Sequence, residues 1–132
     1  MVNSNTSFGK LKEVVVGREL NLTKRIADIT FKYFYKEALE QGLYRKDFGG
    51  YDISYDILQL RRKQLDDLAD KLASFGIKVY RPDEVTKVKQ LKTPTFETEN
   101  SSASNVRDLT LVYEHKIIET PTFIRNRYFE NM

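Results

Sequence analysis

Leucines at positions 58, 65, 68 and 72, then Phe75, Gly76 and a strand-like run from Ile77, constrain this chain more than any other feature. Their spacings of seven, three, four and three bring the apolar side chains back to one side of an α-helix. Arg61, Arg62, Lys63, Asp66, Asp67 and Asp70 fill the other sides. Glycine just past the last periodic residue is a common helix stop. Ile77 to Tyr80 then reads as a short strand closed by Arg81-Pro82-Asp83. Heptad-spaced leucines also suit a coiled coil, but this pattern is short and runs straight into a strand, so packing onto a sheet is the expectation.

Upstream, Leu11 to Val16 ends in Gly17-Arg18. A β-branched run stopped by glycine is a buried-strand signal, and its adjacent apolar residues predict cover on both faces. Asp28 is placed to cap a helix running to about Gln41, with Gly42 beyond its end. Phe31, Phe34, Tyr35, Ala38 and Leu39 share one face of that helix, which reads as core packing rather than as an aromatic cofactor box. Residues 43–54, with Lys46, Asp47, Gly49, Gly50 and Asp52, read as a loop. Gly49-Gly50 lacks the glycine spacing and the following lysine of a phosphate loop. Residues 84–106 are polar and read as a long connection, a kind of segment that often carries function. Leu109 to Tyr113 and Lys116 to Thr120 read as two strands of a hairpin that turns at Glu114-His115. Strand, helix, strand and hairpin in that order predict an α/β sheet unit, with no internal repeat.

Length and composition narrow the classes. The 132 residues are enough for a single domain over 1–132 with a modest core. No apolar run approaches the roughly 18 residues of a membrane span, so no membrane partner is expected. The polar start, Met1 to Gly9, is unlike a secretory signal, and a cytoplasmic location is the default expectation. The chain has no cysteine, which excludes disulfides, thiolate metal sites and cysteine catalysis within these residues. It has one histidine, too few for the usual multi-ligand metal site, and neither metal nor cofactor is expected. Net charge is +3. The densest basic run, Arg61-Arg62-Lys63, is soon followed by acids. It reads as a solvated helix face, with a phosphate-binding patch as the alternative, and no nucleic-acid partner is expected.

Three places carry residues with chemical potential. Arg107-Asp108 closes the long polar segment directly before a strand. A carboxylate held at a strand edge can accept two hydrogen bonds from a guanidinium fork; the plainer reading is an ion pair between neighbouring loops. His115 invites a general-base role, but in a hairpin turn without a visible nucleophile it reads as a solvated turn residue. Glu119, Arg125 and Arg127 belong to a dense run of charged and aromatic residues up to Glu130. That run suits a polar cleft, or equally an ion-paired surface that locks the next element in place.

Several segments together resemble a known family. Arg81-Pro82-Asp83 follows its strand, and Thr93-Pro94 and Phe96-Glu97 open the next segment. Arg107-Asp108, Ile117-Ile118-Glu119, Pro121 and the run from Arg125 to Glu130 follow in order. Leu11 to Arg18 is similar to the family's first strand. The resemblance is to the N-terminal part of the arginine:glycine and inosamine-phosphate amidinotransferases; it covers residues 8–130 and is loose over 19–54.

The resemblance implies a pentein α/β propeller, of which this chain would supply about the first strand-helix module and the start of the second. It gives Asp108 a role in holding the substrate guanidinium, with Arg107 as support for the same loop. A guanidinium carbon is a poor electrophile because its charge is delocalised, and the family attacks it with a thiolate to form a covalent amidino-enzyme. A histidine moves protons and carboxylates hold the planar cation. Those other groups lie further along the family chain than Met132, and His115 does not match the family histidine. The expected partner is an arginine-like guanidino compound, bound weakly by these residues or only in the complete enzyme, with a homodimer or further modules of the family fold completing the unit. No catalytic residue is assigned within 1–132. The alternatives are a stand-alone binding or assembly module, and a relative of the arginine deiminase-type guanidine hydrolases.

Overall fold

The computed structural model describes residues 3–6, 8–19, 24–26, 29–34, 36–41, 50–52 and 54–131. In chain order its strands and α-helices are β1 (Glu13–Val15), β2 (Lys24–Ile26), α1 (Ile29–Phe34), α2 (Lys36–Glu40), β3 (Gly50–Asp52), α3 (Tyr55–Ser74), β4 (Lys78–Tyr80), β5 (Gln90–Lys92), β6 (Glu97–Glu99), β7 (Thr110–Tyr113) and β8 (Lys116–Glu119). The chain is mixed α/β, and no helix among the described residues is long and apolar enough to cross a membrane.

The leucine-rich segment forms α3, whose ends are both set by local chemistry. Ser54 caps the start, its hydroxyl accepting from the Ile57 N–H at 3.3 Å. At the other end Gly76 takes φ +76°, the left-handed conformation that costs glycine least. The Gly76 and Ile77 N–H groups then reach the Ala73 and Leu72 carbonyls at 2.9 and 3.3 Å, satisfying the last turn. That reversal delivers β4 alongside β1, with which it pairs in parallel, Val14 opposite Val79. A parallel pair needs a long crossover, and α3 lies within it.

Burial corrects two details of the expected core. The inward stripe of α3 is Leu58, Arg62, Leu65, Ala69 and Leu72, with Leu58 and Ala69 buried. Leu68 and Phe75 sit outside it and are exposed. Nor is β1 covered on both faces. Val14 and Val79 share the half-buried side, whereas Glu13, Lys78, Val15 and Tyr80 share the open one. Side chains alternate along a strand, and α3, which contacts β4, covers one face. The open face is polar at one end: the Tyr80 hydroxyl donates to Glu13 Oε2 at 2.7 Å, and the Lys78 ammonium lies over the Tyr80 ring. Val16, just past β1, is buried, as are Leu109 and Ile124 from the second half of the chain.

The helix expected up to Gln41 appears as α1 and α2. Asp28, Tyr35, Gly42, Lys46, Asp47 and Gly49 lie outside the described residues, as do the side chains of Phe31, Ala38 and Leu39. Phe34 is half exposed rather than core, its ring packing on Phe123 at 5.1 Å between centroids. Residues 50–52 are not loop: they form β3, antiparallel to β2.

The polar segment 84–106 is also more ordered than its composition suggests. It holds the antiparallel hairpin β5–β6. Its turn is built on Thr93, whose hydroxyl accepts from the Thr95 and Phe96 N–H groups at 3.3 and 3.0 Å. Asn100 extends the pairing, its side-chain oxygen accepting from the Lys89 N–H at 2.7 Å. The hairpin β7–β8 forms as expected, Leu111 opposite Ile118. Glu114 takes φ 48° in its turn and exchanges two backbone hydrogen bonds with Ser4, at 2.9 and 2.8 Å. Those bonds hold a left-handed residue that is not glycine.

Candidate functional site

Asp108 lies in a 3₁₀ turn, Val106–Asp108, with Leu109 between it and β7. The expected placement directly before the strand is therefore shifted by one residue, and that residue is the buried anchor Leu109. The turn is tied on both sides. The Asp108 N–H donates to the Asn105 carbonyl at 3.0 Å, Thr110 Oγ1 donates to the Val106 carbonyl at 2.8 Å, and Thr120 Oγ1 donates to the Asp108 carbonyl at 3.1 Å. Main-chain position is thus fixed while the carboxylate stays partly open to solvent, its side chain 40% exposed.

A guanidinium already sits on that carboxylate. Arg127 Nη1 donates to Asp108 Oδ2 at 3.0 Å. The same guanidinium is gripped from the other side by Glu130: Nε lies 3.0 and 3.1 Å from the two carboxylate oxygens, and Nη2 lies 2.9 Å from Oε2. Nη2 also donates to the Asn105 carbonyl at 3.3 Å. Fork-on-carboxylate pairing of this kind is directional as well as strong. Arg127 follows from a second 3₁₀ turn, Arg125–Arg127, and the Glu130 N–H donates to the Arg127 carbonyl at 3.1 Å. Spacing of three residues across that turn is what lets Glu130 fold back.

Electrostatics follow from burial. The Glu130 side chain is 3% exposed, and desolvation pushes its carboxyl above the ordinary range, against the pull of hydrogen bonds from Arg127 and Ser101. Arg127 is held more firmly charged than usual, chiefly by its hydrogen bond to Glu130, with Asp108 adding to the effect. Arg107 contributes less geometry: its side chain is 91% exposed, and Nε lies 3.9 Å from Asp108 Oδ1. Next to the turn, the Arg125 guanidinium lies over the Phe96 ring, and Phe96, Tyr128 and Phe129 follow edge to face.

Other candidates fall elsewhere. His115 is exposed in the β7–β8 turn, and Glu119 is exposed at the end of β8. Among the described residues no group of acids and histidines is placed to hold a metal ion. The basic run of α3 is spent on ion pairs: Arg61 with Glu19 at 3.9 Å, Arg62 with Glu84 at 2.8 Å, and Lys63 with Asp67. That is a solvated helix face whose cations are paired with acids. Arg81 is structural too, joining Asp66 of α3 at 2.9 Å to the Gly17 carbonyl at 3.1 Å.

Two features had weak sequence signals. One is the Asp108–Arg127–Glu130 arrangement, legible only as the Arg-x-x-Glu spacing at 127 and 130. The other is the close approach at Gly17, where a Cβ would stand 2.0 Å from the Ser104 carbonyl oxygen. There the Arg18 N–H donates to the Ala103 carbonyl at 3.1 Å, and the buried Ser102 hydroxyl donates to Glu19 at 2.9 Å. The polar stretch before Asp108 is therefore moored to the end of β1.

Fold and site together define an α/β unit in which the Asp108 carboxylate is paired with the Arg127 guanidinium. Comparison with known proteins finds relatives over nearly the whole chain. Glycine amidinotransferase of Gallus gallus, a mitochondrial protein, is 32% identical over 129 residues, covering 98% of this chain and 30% of the relative. L-arginine:L-lysine amidinotransferase of Pseudomonas savastanoi pv. phaseolicola is 33% identical over 91 residues, 69% of this chain and 25% of that protein. Among solved structures, inosamine-phosphate amidinotransferase from Streptomyces griseus superposes with a TM-score of 0.76 at 27% identity, covering 100% of this chain and 37% of its own. SxtG, an amidinotransferase from Microseira wollei, gives 0.73 at 29% identity, covering 98% and 37%. No family model matches the chain. The chain belongs to the amidinotransferase family as a partial segment, spanning about 30% of the length of the first of these relatives.

Proposed function

We propose that this chain is the segment of an amidinotransferase-like protein that binds a guanidinium through Asp108. One observation carries the reading: Asp108 already accepts a guanidinium hydrogen bond on Oδ2, while its Oδ1 lies 3.9 Å from Nε of the exposed Arg107. The substrate class is an arginine-like guanidino compound, in keeping with the relatives' names, and Arg107 lends the loop positive charge without fixing it. The surrounding architecture is an α/β propeller of the pentein kind, to which residues 1–132 contribute about one module and the start of the next. Turnover through a covalent amidino-cysteine needs a thiol and a proton-moving histidine from outside these residues. The related proteins are transferases, which supports transfer to an acceptor amine over hydrolysis. A cytoplasmic compartment is part of the proposal, although the vertebrate relative is mitochondrial by name.

Titration with L-arginine, followed by nuclear magnetic resonance shifts of the residues around Asp108, tests this. Asp108→Asn is expected to weaken binding by about 1–3 kcal/mol, the scale of a charged hydrogen bond. Equal affinity in the two proteins would remove Asp108 from the site.

A further inference from the structure

We infer that Arg127, clamped by Glu130, is a positioning residue that presents one oxygen of Asp108 to the incoming guanidinium; this rests on the proposed role of Asp108. A lone aspartate on a turn rotates about its side-chain bonds and offers either oxygen. Here the rotation is stopped. Arg127 Nη1 holds Oδ2 at 3.0 Å, and Thr120 and Asn105 hold the main chain on either side. Oδ1 is left on the outer side, with Arg107 Nε 3.9 Å away.

A resident guanidinium on the ligand's own carboxylate invites the opposite explanation, that Arg127 is a placeholder the ligand displaces. The hydrogen bonds decide against it. Leaving Asp108 would not free Arg127, because Nε and Nη2 are bound to Glu130 and Nη2 also to the Asn105 carbonyl. Glu130 is itself almost wholly buried, so withdrawing Arg127 would strand a desolvated carboxylate, a costly event. The fork therefore stays and the ligand takes the remaining oxygen. Lysine cannot do this work: a single ammonium meets one carboxylate well but does not span two acids in a plane.

The test uses the 132-residue chain and L-arginine titrations of the wild type, Asp108→Asn, Arg127→Ala and Arg127→Lys, each with its melting temperature recorded. Arg127→Ala is expected to weaken arginine binding about tenfold. Guanidinium chloride at low millimolar concentration should restore it by filling the space between Glu130 and Asp108. In the wild type the same salt should instead weaken arginine binding by competing for Oδ1, so the two proteins respond with opposite sign. Arg127→Lys, which keeps the charge and fills the space, should bind arginine weakly and gain nothing from guanidinium. If Arg127→Ala does not fold, Arg127→Lys carries the test: wild-type affinity in it would overturn the inference. Tighter binding by Arg127→Ala would show a placeholder and overturn it as well. Saturable binding that is unaffected by Asp108→Asn, or no saturable binding by the wild type, would overturn the proposed role of Asp108 itself. Binding that depends on Asp108 but not on Arg127 would overturn only this inference.

Discussion

At single residues, the site is a contest between desolvation and pairing. Glu130 is the clearest case, because burial raises its carboxyl while Arg127 and Ser101 pull it down. A group whose folded pKa exceeds its unfolded value adds most to stability below the unfolded pKa, and that contribution is lost as pH rises through the folded one. For Glu130 the window opens near the ordinary value of 4.5 and extends upward. Glu130→Gln removes the titration, so the variant is expected to gain on the wild type as pH rises across that window. Melting temperatures of both proteins between about pH 4 and 7 check this; a gap that widens in favour of the wild type would mean that pairing with Arg127 outweighs burial. Gly17 makes a second claim at this scale. Its missing Cβ leaves room for backbone, at 2.0 Å from the Ser104 oxygen, and backbone does not swing aside. Gly17→Ala is expected to cost about 1–3 kcal/mol, the range for overpacking, read from chemical denaturation. Sequence alone marked Arg107-Asp108 but not which cation would meet Asp108. Arg127 lies nineteen positions further on, and only the return of the chain past β8 brings it to 3.0 Å.

Among the elements, α3 and its reversal into β4 were legible because each depends on near neighbours: a repeating leucine pattern and the glycine just past it, whereas the Ser54 cap emerged only in the structure. Gly76→Ala tests that locality. Among the described residues nothing lies within 4 Å of where the new Cβ would be, so the expected penalty is conformational. About 1 kcal/mol is expected, the cost of a left-handed conformation for an L-residue. Denaturant melts of the variant should show that loss without a change of slope; a much larger loss would mean that packing, not φ, selects glycine there. The hairpin β5–β6 was illegible for a converse reason. Its strands, Gln-Leu-Lys and Glu-Thr-Glu, offer one apolar residue between them. What organises them is the Thr93 hydroxyl and the Asn100 side chain, whose bonds leave no periodic trace. The two-faced cover expected for β1 failed because adjacent valines report hydrophobicity, not which neighbour supplies the second layer.

For the molecule as a whole, the apolar surface is larger than the interior accounts for. Val16, Leu58, Ala69, Leu109 and Ile124 are the buried apolar residues among those described. Against them, Leu111, Tyr113, Ile117 and Ile118 stand exposed on the two faces of the β7–β8 hairpin, and Val15 and Tyr80 on the open face of β1–β4. The described sheets are two-stranded, and a strand edge left open is a template for another chain. Large apolar side chains left exposed on strand faces favour an interaction site or association. The chain alone is therefore expected to self-associate, with mass by light scattering rising above 15.5 kDa as concentration increases through the micromolar range. Replacing Ile117 and Leu111 by lysine and threonine should lower that mass toward the monomer, since charge on a strand face opposes edge pairing and stacking. The arginine titration of Asp108 should be unchanged by those substitutions, because the turn is anchored by Leu109, Thr110 and Thr120 rather than by the hairpin faces. A sharp cooperative melt from a stable monomer would mean instead that the unit is self-sufficient, and would move the balance from a segment needing further modules toward a stand-alone binding domain.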